Sequence, residues 1–376
     1  MSCGYQRVKS LNAKTTKPKP KPNLDADKPT FTAKFLIQVY HELLSQGRKA
    51  PGPDNLTFDK LAEYQWRRKA SSLSKAISNN TYQPGPTKLA RIPKSYKDGF
   101  REIQIPNTID KIANRACLIA MSPLVDKLLL DWCIGFRPKK SYHDILEQIK
   151  QSYEQGYRFI AHYDIKDAFN QVEKRKLLSI VRDLPLKPDI KALATTLIIR
   201  NEPEKLMGLN QGEALSGHLF NLYIYSIHDT TANTYLNSDS KLFRYADDFC
   251  IIGRSKEAVE ELAKKSIGLL SQHRMTCSYE EPVDLSQNKI TLLGLTMHGE
   301  SNNIRFTIPE ASWTQLGNSL DEAHKNPDPI THLRAVTNGW KQAKPLGSLT
   351  SEDHSRLDSL LLTHGLNPRV IGESPD

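Results

Sequence analysis

The sequence is most informative at Lys241-Leu-Phe-Arg-Tyr-Ala-Asp-Asp-Phe-Cys-Ile-Ile-Gly253. Apolar and aromatic residues run into two aspartates, Asp247 and Asp248, and a second apolar run leaves them through Phe249, Ile251 and Ile252. The pattern predicts two short strands folded back to back, with the acids at the turn. Adjacent carboxylates on a tight apolar hairpin repel each other and call for a cation. Hard divalent ions such as Mg²⁺ take oxygen ligands and keep waters and substrate phosphates as the rest of their shell. One reading is therefore a metal-dependent phosphoryl or nucleotidyl transfer site. The other is a solvated Asp-Asp turn, since Asp is a common turn residue. The hairpin alone leaves both open.

Two stretches upstream bear on that choice. In Tyr157-Arg-Phe-Ile-Ala-His-Tyr-Asp-Ile-Lys-Asp-Ala-Phe-Asn170, a β-like run from Phe159 to Tyr163 ends at Asp164, and a turn and helix follow. A carboxylate at the end of a core strand is well placed for catalysis. Met207-Gly-Leu-Asn-Gln-Gly-Glu-Ala-Leu-Ser-Gly-His-Leu-Phe-Asn-Leu-Tyr223 starts with glycines and turns into a helix.

The 376 residues carry 52 Lys and Arg against 42 Asp and Glu, a formal net charge of +10. That excess favours polyanionic partners, nucleic acid first, although a basic tail alone supplies part of it. No run approaches the length of a membrane span, and no apolar segment near the start reads as a signal peptide. Five widely spaced cysteines without a Cys-x-x-Cys pair argue against disulfides and a cysteine zinc site. A reducing, cytoplasmic setting is expected.

Residues 1–29 form a basic, Pro/Lys-rich lead expected to be extended. Arg48 and Lys49 lie in the loop 47–54, and Arg67 and Arg68 in a helix expected over 58–79. Arg137, Lys139 and Lys140 lie in the loop Gly135-Phe-Arg-Pro-Lys-Lys-Ser141. All seven are candidates for phosphate contact, against the plainer reading of solvated charged faces. A hairpin is expected over 89–106, turning at Lys97-Asp98-Gly99 and presenting Lys94, Lys97 and Arg101 near its tip. Cations there suit a triphosphate clamp. Further along, helix is expected at 257–270, a strand at 290–296 with Gly294 at its centre, a strand at 304–308, and helices from 309 onward.

An acid-ended strand, a Gln-Gly loop and an acid hairpin, in that order, resemble the palm of a reverse transcriptase. His162-Tyr-Asp-Ile-Lys-Asp-Ala-Phe169 looks like the first catalytic motif, and Asn210-Gln-Gly-Glu-Ala-Leu-Ser-Gly-His-Leu-Phe-Asn221 looks like the Gln-Gly motif. Tyr245-Ala-Asp-Asp248 has the form of the catalytic tetrapeptide common in bacterial and group II intron-like enzymes. Ile92-Pro-Lys94 with Arg101 resembles the fingers hairpin, and Gly135-Phe-Arg-Pro138 the element before the first motif. Lys49-Ala-Pro-Gly-Pro-Asp-Asn55 resembles the N-terminal loop of the non-LTR and group II lineage.

The resemblance implies an α+β right-hand polymerase. Its parts would be helix-rich fingers with part of the palm at 30–160, a palm of antiparallel sheet packed on helices at 161–308, and a small helical thumb at 309–376. It implies RNA-directed synthesis of DNA from dNTPs with two Mg²⁺ ions, Mn²⁺ being a substitute. Asp164, Ile165, Asp247 and Asp248 would surround the metals, with Asp164 and Asp247 bridging both and Asp248 acting less directly. Lys94, Arg101, Phe169, Gln211 and Gly212 would contact the dNTP. Lys97 is an alternative to Lys94, because the turn is a residue longer than usual. Phe169 would be the steric gate against a 2′-hydroxyl, or else plain core. The Asn338-Gly-Trp340 element and the small size most resemble the type 2 branch of bacterial defence-associated reverse transcriptases. That branch implies anti-phage defence, a structured non-coding RNA as template and a cDNA product. A template-independent or protein-primed DNA polymerase, and a non-catalytic RNA-binding scaffold, are the alternatives.

Overall fold

The computed structural model describes residues 30–47, 50–61, 63–93, 100–200, 202–326, 328–342, 344 and 350–367. The N-terminal lead therefore lies outside the described residues, as do Arg48, Lys49, Lys94 and Lys97.

The chain opens with helices. In α1 (Ala33–Ser45), Leu36, Val39, Tyr40 and Leu43 are buried at helical spacing, and the Thr32 side chain caps the first turn by accepting from Phe35 N. The helix expected over 58–79 is split. A single 3₁₀ turn at Phe58–Lys60 precedes α2 (Glu63–Ser78), and the Tyr40 hydroxyl donates to the carbonyls of Phe58 and Leu61 at the break. Strands β1 (Thr87–Pro93) and β2 (Phe100–Pro106) form the expected antiparallel hairpin, with Thr87 opposite Pro106. The buried helix α3 (Thr108–Leu128) follows, then α4 (Tyr142–Glu154), which starts on a Ser141–Asp144 capping box.

The central sheet comprises β3 (Phe159–Ile165), β4 (Ser240–Tyr245), β5 (Asp248–Gly253) and β6 (Cys277–Asp284). Its order is β4-β5-β3-β6 and every neighbouring pair is antiparallel. Between β3 and β4 come α5 (Lys174–Asp183), α6 (Pro188–Ile199) and α7 (Ala214–Ile224). A π-helical turn, Tyr225–Asp229, then leads into the short α8 (Thr230–Ala232). Helix α9 (Lys256–Gln272) follows β5 and packs on all four strands.

Strand alternation gives the sheet two unlike faces. Ala161, Tyr163, Ile165 and Phe249 are buried, and the Tyr163 and Phe249 rings stack 4.6 Å apart. The opposite face carries His162, Asp164 and Asp248, all only partly buried. The mixture of helices and antiparallel sheet is the expected α+β class.

Two segments depart from expectation. Residues 290–296 are not one strand. β7 (Ile290–Leu292) and β8 (Leu295–Glu300) form a hairpin whose turn is Leu293-Gly294, with φ of +51° and +78°. Two successive positive φ values make a tight reversal that a continuous strand cannot contain. Strand β9 (Asn303–Thr307) completes this sheet. Strand β6 had no place in the expectation. Cys277-Ser-Tyr-Glu-Glu-Pro-Val-Asp284 lacks an apolar run, because β6 is an edge strand with an exposed stretch at Tyr279–Glu281.

After β9 come α10 (Glu310–His324), α11 (Pro329–Gln342) and α12 (Ser351–Thr363). The Trp313 and Trp340 rings meet at 4.8 Å, and the Arg356 guanidinium lies 4.7 Å over Trp313. No helix among the described residues is long and apolar enough to cross a membrane.

The revised turn at 293–294 is testable. Because Gly294 sits at φ +78°, Gly294→Ala should lower the unfolding free energy by about 1–2 kcal/mol in urea denaturation. A neutral Ala variant would favour the continuous strand.

Candidate active site

The strand register assembles the acids. Asp164, near the end of β3, lies opposite Asp248 of β5 on one side and opposite Ser278 of β6 on the other. The Ser278 hydroxyl donates to Asp164 Oδ1. His162, two residues before Asp164 and so on the same face, places Nε2 3.1 Å from Asp248 Oδ1 and Nδ1 3.6 Å from Glu280 Oε1. Burial works against a charged His162, but Asp248, Glu280 and Asp164 together lift its pKa above the ordinary value.

Asp247 occupies the turn between β4 and β5. Its pKa is pushed up to about 6, first by desolvation and then by the Asp248 carboxylate, while the Arg101 cation pulls the other way. The turn has two residues, because Tyr245 pairs with Asp248. Its first residue, Ala246, takes φ +59°, in the left-handed region that normally falls to glycine.

The segment before α4 explains how this turn is held. Ile134 N donates to Arg244 O at 2.8 Å, Arg244 N donates to Trp132 O at 2.9 Å, and Ile165 N donates to Asp247 O at 3.1 Å. A Cβ on Gly135 would stand 2.2 Å from Ala246 N, so only glycine allows the loop to lie against the acid turn. The Phe136 ring packs on α7 where Gly217 leaves room, since a Cβ there would lie 2.6 Å from the ring. Phe136 also meets Phe169 edge-on at 6.0 Å, and Phe169 stacks on Phe220 at 5.0 Å. Phe169 is partly buried in this aromatic cluster.

Arg137 corrects an expectation. Its guanidinium is internal, bonded to Asp126 Oδ1 at 2.7 Å and to the carbonyls of Leu130, Cys133 and Asp126. A guanidinium whose donors are committed to carbonyls at the end of α3 is a clamp on the loop and is not free for phosphate. Lys139 and Lys140 beyond it are exposed, as are Arg67 and Arg68 on α2.

The Gln-Gly loop locks onto the β1–β2 hairpin. Gln104 N donates to Gln211 O at 2.7 Å. Gly212 has φ +97°, and a Cβ there would meet Ile103 Cγ2 at 2.4 Å. This close backbone approach is what the glycine permits. The loop is also tied to the segment after β3, through Gly208 N to Val172 O at 2.8 Å and Leu209 N to Phe169 O at 2.9 Å. Just past it, buried Glu213 pairs with Arg200 at 2.9 Å. Exposed Arg101, on the same strand as Ile103, is near enough for its charge to lower the Asp247 pKa.

His162, Ser278 and Glu280 were not foreseen at the site. His162 was legible, since alternation along β3 puts it beside Asp164. Ser278 and Glu280 depended on recognising β6.

The donor set suits a hard divalent cation: oxygen ligands from Asp164, Asp247 and Asp248, with Asp247 carrying negative charge that its surroundings oppose. Among the described residues, no three Asp, Glu, His or Cys side chains gather closely enough to hold a cation as they stand. Two of the acids have other partners here, Asp164 with Ser278 and Asp248 with His162. Ile165 could offer a cation only its backbone carbonyl.

The family model for reverse transcriptase (RNA-dependent DNA polymerase) matches residues 92–297, which include all of the acids, the Gln-Gly loop and Arg101. The group II intron-encoded protein LtrA of Lactococcus lactis subsp. cremoris is 26% identical over 196 residues, covering 50% of this chain and 32% of that protein. The protein YkfC of Escherichia coli (strain K12) is 30% identical over 144 residues, 37% of each. The chain therefore spans about a third of the length of the curated relatives it matches. Telomerase from Candida albicans, solved with a TWJ fragment of telomeric RNA, aligns with a TM-score of 0.46 at 13% identity, covering 80% of this chain and 61% of that one.

If Asp247 is strained by its neighbours, Asp247→Asn should stabilise the metal-free protein at pH 7 by roughly 2 kcal/mol. Mn²⁺ should raise the melting temperature of the parent and leave the Asn variant unmoved. Equal Mn²⁺ shifts in both proteins would show that the cation binds elsewhere.

Proposed function

The chain belongs to the reverse transcriptase (RNA-dependent DNA polymerase) family, and on that premise we propose that it is an RNA-directed DNA polymerase extending a 3′-hydroxyl with dNTPs. The observation that carries the proposal is the juxtaposition of Asp164 and Asp248 across β3 and β5, with the Asp247 turn at the same end of the sheet. When bound, a pair of Mg²⁺ ions would supply activation of the 3′-hydroxyl and neutralise the charge leaving with pyrophosphate.

The chain's own residues divide the remaining work. Asp164 and Asp247 would hold both cations, with the Ile165 carbonyl beside them. Asp248 already accepts from His162, which fits a less direct role. Arg101 places a cation on the approach to Asp247, where a triphosphate would enter, and Lys94 belongs to the same hairpin. The Gln211-Gly212 backbone is fixed against β2 and offers a surface to the nascent base pair. Phe169, packed against Phe136 and Phe220, would act as the steric gate. A rigid ring there would exclude a 2′-hydroxyl from the sugar position.

Template RNA is the proposed partner, contacted by exposed bases such as Arg67, Arg68, Lys139 and Lys140. The finer proposal, a structured non-coding RNA copied into cDNA for anti-phage defence, rests on the resemblance carried by Asn338-Gly339-Trp340. Trp340 itself is part of the packing between α10 and α11.

RNA-templated primer extension with Mg²⁺ tests the activity. The parent should incorporate dNTPs, and Asp164→Asn should lower kcat by at least about 10³-fold with melting preserved. Equal incorporation by both proteins would contradict the proposal. In the same assay Phe169→Ala should admit ribonucleotides; an unchanged dNTP preference would assign the ring to the core alone.

A further inference from the structure

Behind the acid-bearing face lies a second polar system, wholly buried. Arg244, Asp229 and His228 are each 0% exposed, as are Tyr163 and Ser266. Tyr163 Oη lies 2.6 Å from Ser266 Oγ, which lies 2.6 Å from His228 Nε2. His228 Nδ1 lies 2.8 Å from Asp229 Oδ1, and Asp229 Oδ2 accepts from Arg244 Nη2. One assignment of hydrogens accounts for these contacts, leaving only the buried Arg244 Nε without an acceptor among them. A carboxylate only accepts, so His228 Nδ1–H donates to Asp229. Ser266 then donates to His228 Nε2 and accepts from Tyr163.

The other end of Arg244 reaches the acid turn. Its Nη1 donates to Ala246 O at 3.0 Å and to Asn221 Oδ1 at 2.9 Å. Asn221 Nδ2 in turn donates to Gly135 O at 2.7 Å, on the loop that lies against Ala246. Ala246 is the residue held at φ +59°, a conformation that persists only where its surroundings impose it. At the Tyr163 end, the next residue is Asp164.

His228 and Asp229 are the last two residues of the π-helical turn Tyr225–Asp229, and both are buried. Such turns are rare and concentrate at functional sites. Burial alone would raise the Asp229 carboxyl, yet Arg244 and His228 hold it below the ordinary range, so the pair is ionised as a unit.

We propose that the buried relay Tyr163–Ser266–His228–Asp229–Arg244 is a positioning device. It fixes the Ala246-Asp247 turn from behind, registers it against Asp164, and so sets the spacing of the two acids. Arg244 and Asp229 are positioning residues, since neither touches the reacting atoms. The inference rests on Asp164 and Asp247 being the cation-bearing acids.

The test compares the parent with Arg244→Lys and Tyr163→Phe. Lysine keeps the charge but cannot serve Asp229, Asn221 and the Ala246 carbonyl together. Arg244→Lys should lower kcat by about 10²-fold, the scale of a small misplacement of reacting groups, with KM for primer–template unchanged. Its Mn²⁺ affinity, read by electron paramagnetic resonance without nucleic acid, should fall in step. Tyr163→Phe removes one hydroxyl and should lower kcat roughly three- to ten-fold, the scale of one buried hydrogen bond. If Arg244→Lys fails to melt cooperatively, Tyr163→Phe decides. A folded variant with parental kcat and Mn²⁺ affinity, however much its melting temperature drops, overturns the relay as a positioning device. A parent that binds Mn²⁺ but incorporates nothing overturns the polymerase reading, and the Mn²⁺ affinities still judge the relay.

Discussion

Three carboxylates at one end of an antiparallel sheet repel each other, and much of this chain is arranged to keep them there. Left to itself, a strained turn carrying Asp247 would relax outward into water. Contacts from several directions prevent it. Gly135 lets a loop lie against Ala246, Ile165 N–H holds the Asp247 carbonyl, and the Arg244 guanidinium grips the Ala246 carbonyl from behind. The result is negative charge concentrated where solvent cannot fully relieve it, as the elevated pKa of Asp247 shows. Such concentrated charge favours divalent cations, for which Asp164 would give up its bond from Ser278.

The same logic explains the glycines of the motifs. Gly135, Gly212 and Gly217 each stand where a Cβ would strike backbone, the Ile103 methyl or a ring, respectively. Between them they bring two segments against the acid site: the loop before α4, with its Phe136 ring, and the β1–β2 hairpin. The aromatic cluster of Phe136, Phe169 and Phe220 then shares a wall with the Gln-Gly loop through Leu209 N and Phe169 O. Residues far apart in sequence are thus joined into one rigid frame. That frame gives physical content to motifs otherwise read only as family signatures.

Much of this was legible beforehand. Apolar runs flanking Asp247-Asp248 and preceding Asp164 specified the central strands, because both lie in a core where burial writes itself into the sequence. Strand β6 left no such trace, since its middle is exposed, and with it Ser278 and Glu280 went unseen. Leu293-Gly294 reads as strand by composition and is a turn by φ. Arg137 reads as a surface cation and is an internal clamp, because charge alone does not say where a guanidinium finds its acceptors. The His228-Asp229 pair was beyond sequence reading. It lies in a π-helical turn, whose spacing no helical periodicity announces.

On the proposed function, Asp164 and Asp247 together hold the cations of a nucleotidyl transfer site. This is tested most directly by a crystal structure grown with Mn²⁺, an RNA–DNA primer–template and a non-hydrolysable dNTP, read by anomalous scattering. Two manganese peaks at the Asp164 and Asp247 carboxylates, with the triphosphate on the Arg101 side, are the expected result. Manganese peaks elsewhere, with Asp164 still bonded to Ser278 and Asp248 to His162, would contradict it.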